Sequence, residues 1–157
     1  VCLLPLQRFD ERRDRRLGSD SPARTRSVAI LYLTAGDFDV EAVGSLLRLE
    51  HEGPKLFLVH DDGGDETARA RIRRYLENHP YSGQWELEVW HRPQRLGGKA
   101  GAVNWVLDRL DPSWDLLLLC DCDSIALDPQ ALTKAVGFQN HGTPVVQNHS
   151  PPRVTDR

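Results

Sequence analysis

A chain of 157 residues with 39% hydrophobic residues is long enough to bury one core, and is neither a disordered tail nor a small disulfide scaffold. The formal net charge of −3 is uneven: seven Arg stand against four acidic residues in 1–26, which leaves the rest of the chain at −6, a weakly acidic body that argues against nucleic acid as the main partner. Three Cys, one near the start and two a single residue apart, make a poor disulfide framework and predict a reducing, cytoplasmic setting.

The opening VCLLPLQ is too short for a signal peptide or a membrane span, and no apolar run approaches the roughly 20 residues that a span needs. The chain starts at Val1 and contains no methionine, so it is expected to be a piece of a larger protein. Residues 1–26 then read as a charged linker or N-terminal extension, with Gly, Ser and Pro and no sustained apolar face.

From Ser27 onward, apolar runs alternate with amphipathic ones. SVAILYLT (27–34) is a short β-branched run suited to a buried strand, and DVEAVGSLLRLE (39–50) gathers Val40, Val43, Leu46 and Leu47 on one helical side. KLFLVH (55–60) predicts the next strand and DETARARIRRYLEN (65–78) the next helix, with acids in its first turn. WELEVWH (85–91) is a strand, GKAGAVNWVLDRL (98–110) a helix, and DLLLLCD (115–121) a strand. DPQALTKAVGFQN (128–140) is a helix opened by Asp128 and Pro129, and PVVQ (144–147) a last short strand.

This alternation predicts an α/β fold with an open, mostly parallel sheet and helices on both faces. Ligands of such sheets bind beyond the carboxyl ends of the strands. The chemically distinctive residues fall at that edge: Thr34 and Asp37, Asp61 and Asp62, Lys99, then Asp121 and Asp123.

HDDGGDET (60–67) has two readings. It is a strand-to-helix loop in which Asp and Gly supply turn geometry, or a carboxylate held there accepts hydrogen bonds from a nucleobase imide or a ribose hydroxyl. GGKAGAVNW (97–105) lacks the glycine spacing and the Ser or Thr of a Walker loop. Lys99 at the expected helix start, one of three Lys beside 17 Arg, suits a phosphate, and an ordinary surface lysine competes with that reading.

In CDCDS (120–124), period two puts Cys120 and Cys122 on one side as small hydrophobes and Asp121 and Asp123 on the other. A zinc or redox site wants C-x-x-C spacing or more Cys and His, whereas two carboxylates at spacing two suit a hard divalent cation bridging to phosphate. The six His are scattered singly, and His60 and His149, near the motifs, read as structural residues. The sequon Asn148-His149-Ser150 carries no weight in a cytoplasmic protein.

Taken in order, SVAILYLTAGD, LFLVHDDGGDET, GGKAGAVNWVL and LLLLCDCDSIALDP resemble the donor-binding half of family 2 glycosyltransferases, and DDGG, GKAG..N and VVQNHSPP look most like the cellulose synthase-like processive branch. The resemblance covers roughly residues 27–152, leaving 153–157 as a tail. It implies a Rossmann-like GT-A fold, probed by a UDP-sugar donor and Mg2+ or Mn2+, with inversion at the anomeric carbon.

By the same resemblance, Thr34, Asp37, Asp61, Lys99 and Asp121 are the expected donor-nucleotide contacts, and Asp121 and Asp123 the metal ligands. Leu33, Ala35 and Gly36 depart from the family's first stretch. The catalytic base, the acceptor motif and any transmembrane helices are expected beyond Arg157, which would place a full-length protein at the cytoplasmic face of a membrane. A donor-binding module with poor turnover of its own is therefore expected. The alternatives are a non-catalytic nucleotide-binding or interaction module and, further off, a receiver-like signalling domain.

Overall fold

The structure, a computed structural model, describes residues 2–5, 25–140 and 146–147. The expected linker between 6 and 24, the sequon and the 153–157 tail lie outside the described residues. Ten regular elements follow in chain order: β1 (Cys2–Pro5), β2 (Val28–Thr34), α1 (Val40–Leu47), β3 (Lys55–Asp61), α2 (Glu66–Asn78), β4 (Glu86–Trp90), α3 (Gly98–Leu107), β5 (Leu116–Asp121), α4 (Ala131–Asn140) and β6 (Val146–Gln147).

The sheet runs β4-β3-β2-β5-β1-β6. β4, β3, β2 and β5 are mutually parallel, and β1 is antiparallel to both β5 and β6. Cys2–Pro5, expected in the extension before Ser27, thus pairs with Leu116–Leu119 instead. Among the parallel strands the first in sequence lies between the second and the fourth, which is the dinucleotide-binding order. A receiver-like sheet puts the first strand between the second and the third, so that alternative does not describe this fold.

Pleating divides the core. Val28, Ile30 and Tyr32 of β2 face α1, α2 and α4 through Leu46, Leu47, Ile72, Leu76 and Leu132. Ala29 and Leu31 face the other way, onto Leu58, Leu117 and Val106 of α3. All seven residues of β3 are buried, as both-face coverage of a parallel sheet requires. Helices therefore cover both faces, as the alternating runs predict.

Short-range chemistry sets the helix starts. The Asp39 carboxylate accepts from the backbone N–H of Glu41 and Ala42 at the head of α1, and Asp65 accepts from Ala68 N–H at 2.8 Å at the head of α2. α3 starts differently, with Gly97 in the left-handed region at φ 72° and no side-chain cap. Its first-turn N–H groups are thus left to solvent or to an anion.

The order change between β2 and β5 is the switch point, where an open α/β sheet leaves a crevice at its carboxyl edge. Leu33 of β2 is in register with His60 of β3 and with Asp121 of β5, and His60 with Trp90 of β4. Every expected site residue sits at or just past this edge.

Candidate functional site

A cleft of about 390 Å³ opens at the switch point. Thr34, Asp37, Lys99, Asp121 and Asp123 all line it, so five of the six residues expected as donor contacts or metal ligands converge. The sixth, Asp61, does not line it. Asp61 is 2% exposed, and its carboxylate accepts from Gly63 N–H at 3.2 Å and Gly64 N–H at 3.0 Å. For Asp61 the turn-forming reading of HDDGGDET is the one the geometry fits, and the neighbouring Asp62 faces the cleft in its place.

The β2 end is built by Asp37. Its carboxylate accepts from Thr34 Oγ1 at 2.9 Å, from Ala35 N–H at 2.7 Å and from Cys122 Sγ at 3.0 Å. Gly36, at φ 95°, supplies the left-handed turn that brings Asp37 back to Ala35. The Ala35 N–H, then the Cys122 thiol, hold the Asp37 carboxyl down to about 2, and Asp37 in turn pushes the Cys122 thiol up to about 11. Cys122 is therefore a hydrogen-bond donor at the cleft rather than a purely packed hydrophobe. Cys120 is packed, 1% exposed, and burial pushes its thiol up to about 12.

Tyr32, buried under the same loops, ties them together. Its hydroxyl donates to the Cys122 carbonyl at 2.7 Å and accepts from Asp39 N–H at 3.1 Å. Tyr32→Phe removes both bonds while keeping the ring against Phe57, and should lower stability by about 1–3 kcal/mol. Urea unfolding measures this, and a loss below about 0.5 kcal/mol would contradict the role assigned to the hydroxyl.

Gly63 approaches the same loop from β3. A Cβ there would overlap the Ala35 carbonyl, so the first of the DDGG glycines is set by close backbone approach and not by a positive φ.

The β5 end is a closed turn. Asp121 N–H donates to Ser124 Oγ at 2.9 Å and Ser124 N–H to the Asp121 carbonyl at 3.0 Å, which presents the exposed Asp121 and Asp123 at the lip. The Asp121 carboxylate pairs with the Lys99 ammonium at the head of α3. Among the described residues no group of three or more His, Cys, Asp or Glu is disposed to hold a metal ion. Two carboxylates fit only a hard cation that keeps water and takes its other oxygens from a bound ligand.

On the β3–β4 side, sequence reasoning passed over Arg92 and Arg95 and read His60 as structural. Arg92 is 8% exposed. Its Nε and Nη2 bond the two Asp62 oxygens at 2.7 and 2.6 Å, and its remaining N–H groups reach the carbonyls of Leu96 and Gly98. It fixes both the cleft-facing Asp62 and the loop that delivers Lys99. Arg95, on that loop, lies 3.6 Å from Asp62 and is mostly exposed at the rim. His60 is fully buried, lines the cleft, and has no hydrogen-bond partner on either ring nitrogen among the described residues.

No family model matches the chain, and no curated protein sequence matches it closely. Among solved structures, the chain is similar to a mannosyltransferase, PcManGT from Pyrobaculum calidifontis, in complex with GDP-Man and Mn2+. The TM-score is 0.57 and the identity 18%, over 80% of this chain and 36% of that one. It is also similar to S. aureus TarS 1–349, at TM-score 0.54 and 18% identity over 74% of this chain and 32% of that one, and to the same protein in complex with UDP, at 0.54 and 20% over 73% and 32%. The chain thus spans about a third of the length of each. The likeness is one of fold: an α/β, Rossmann-like sheet of the GT-A kind.

Proposed function

We propose that this chain is the donor-binding portion of an inverting family 2 glycosyltransferase, holding a UDP-sugar together with Mg2+ or Mn2+. What carries the reading is the convergence of Thr34, Asp37, Lys99, Asp121 and Asp123 on one cleft at the switch point of the sheet. The fold likeness to a mannosyltransferase solved with GDP-Man and Mn2+ and to TarS solved with UDP supports a nucleotide-sugar donor. DDGG, GKAG..N and VVQNHSPP favour the cellulose synthase-like branch within the family.

Each residue takes a part. Thr34 and Asp37 border the nucleoside, and Asp62 replaces Asp61 as the carboxylate available to it. Lys99 and the uncapped N–H groups of α3 face the diphosphate. Asp121 and Asp123 would hold the divalent ion, which when bound supplies Lewis-acid neutralisation of charge on the departing diphosphate. No base for the acceptor hydroxyl is assigned to the described residues.

Calorimetry with UDP, with and without Mn2+, tests the reading. UDP binding that strengthens with Mn2+ is the expected result, and no binding under either condition would overturn it.

A further inference from the structure

We propose that the His60 imidazole hydrogen-bonds the nucleoside part of the bound donor and so contributes to its selection, an inference that rests on the donor-binding reading above. His60 is the penultimate residue of a strand whose seven residues are all buried, flanked in register by Leu33 and Trp90, with the Trp105 ring edge-on at 5.5 Å. A purely structural residue at such a position would be aliphatic or would have its polar atoms satisfied. Here Nδ1 and Nε2 both lack partners among the described residues although His60 is 0% exposed, and the same ring lines the cleft. An interior that leaves both nitrogens open disfavours the empty state, and a ligand reaching that depth relieves the penalty.

The chemistry of the ring selects the ligand part. Burial holds the imidazole below its ordinary pKa, so near neutral pH it presents one N–H and one lone pair. A phosphate only accepts, and the cleft already offers it Lys99 and Arg95. A nucleoside carries donors and acceptors together, in its base edge and in its ribose hydroxyls, on a body that tolerates the apolar walls of Leu33 and Ala102.

The test is calorimetry on the full chain at saturating Mn2+, with UDP, 2′-deoxy-UDP and pyrophosphate as probes. His60→Phe keeps a ring against Trp105 and deletes both nitrogens. It should weaken UDP about 10-fold, the value of one hydrogen bond, and leave pyrophosphate unchanged. An equal loss for UDP and 2′-deoxy-UDP assigns the bond to the base or the 3′-hydroxyl, and a loss confined to UDP assigns it to the 2′-hydroxyl. UDP affinity within about twofold of wild type overturns the role of His60.

Long-range 1H–15N spectra of the unmutated chain supply a readout independent of the variant's folding. A shift of the His60 ring nitrogens on adding UDP, absent with pyrophosphate, is expected, and unmoved signals overturn the proposal. A wild-type chain that binds neither nucleotide overturns the donor-binding reading and this inference with it, whereas UDP binding by wild type and His60→Phe alike overturns this inference alone.

Discussion

Arg92→Ala is expected to lower the unfolding free energy by about 3–5 kcal/mol, the range for breaking a buried ion pair by removing one partner. The Arg92 and Asp62 side chains are 3% and 9% exposed, so the truncation leaves a desolvated carboxylate behind. It also strips the carbonyls of Leu96 and Gly98 of the guanidinium that links them. Arg95, 60% exposed at 3.6 Å, is too solvated to replace it. Arg92→Lys keeps the charge but not the two-pronged geometry, and should fall between wild type and the Ala variant.

Acid should erase most of that difference. The Arg92 hydrogen bonds hold the Asp62 carboxyl below its ordinary range, and Asp62 raises Arg92 in return. A carboxyl depressed in the folded state stabilises it fully above the unfolded value of about 3.9, and that contribution is lost as pH falls through the folded value. Urea unfolding near neutrality should separate wild type from Arg92→Ala, and the gap should shrink below about pH 4. A gap that is absent at neutral pH, or that widens in acid, would contradict the assignment.

How much of this the sequence carried depends on the range of the interactions involved. The strands and helices between Ser27 and Asn140 were legible because each is specified by its own periodicity and caps, as Asp65 at the head of α2 illustrates. Cys2–Pro5 was not, because four residues before a charged run gain their place by pairing with Leu116–Leu119 and Val146–Gln147, more than a hundred positions away. In HDDGGDET the resemblance pointed to Asp61 as the nucleoside contact. The strand pleat and the turn instead direct Asp61 to the amides of Gly63 and Gly64 and leave Asp62 facing the cleft. Arg92 drew no reading from the sequence, because only a partner 30 residues earlier accounts for its burial. For His60 the available signal was a lone polar residue in an apolar run, which composition cannot tell from a structural histidine.

Asp123→Asn should weaken Mn2+-dependent UDP binding by at least about 100-fold, since groups that merely support a metal ligand are worth 10-fold to 100-fold. The side chain is exposed and outside the core, so stability should stay within about 0.5 kcal/mol. Asp121→Asn should lose the Mn2+-dependent part as well but differ without metal, because Asp121 is shared with Lys99. That pair is more than half exposed at both ends, with side-chain accessibilities of 61% and 52%, and such contacts are cheap to break. Under the proposed donor-binding function, Lys99 would leave Asp121 for a diphosphate and free the carboxylate as the ligand arrives. Neutralising Asp121 releases Lys99 in advance, so metal-free UDP binding should match or exceed wild type in Asp121→Asn, while Lys99→Ala should weaken UDP with and without Mn2+. If Asp121→Asn and Asp123→Asn behave alike in metal-free titrations, the sharing of Asp121 between ammonium and cation is wrong, and Lys99 serves only to neutralise the lip.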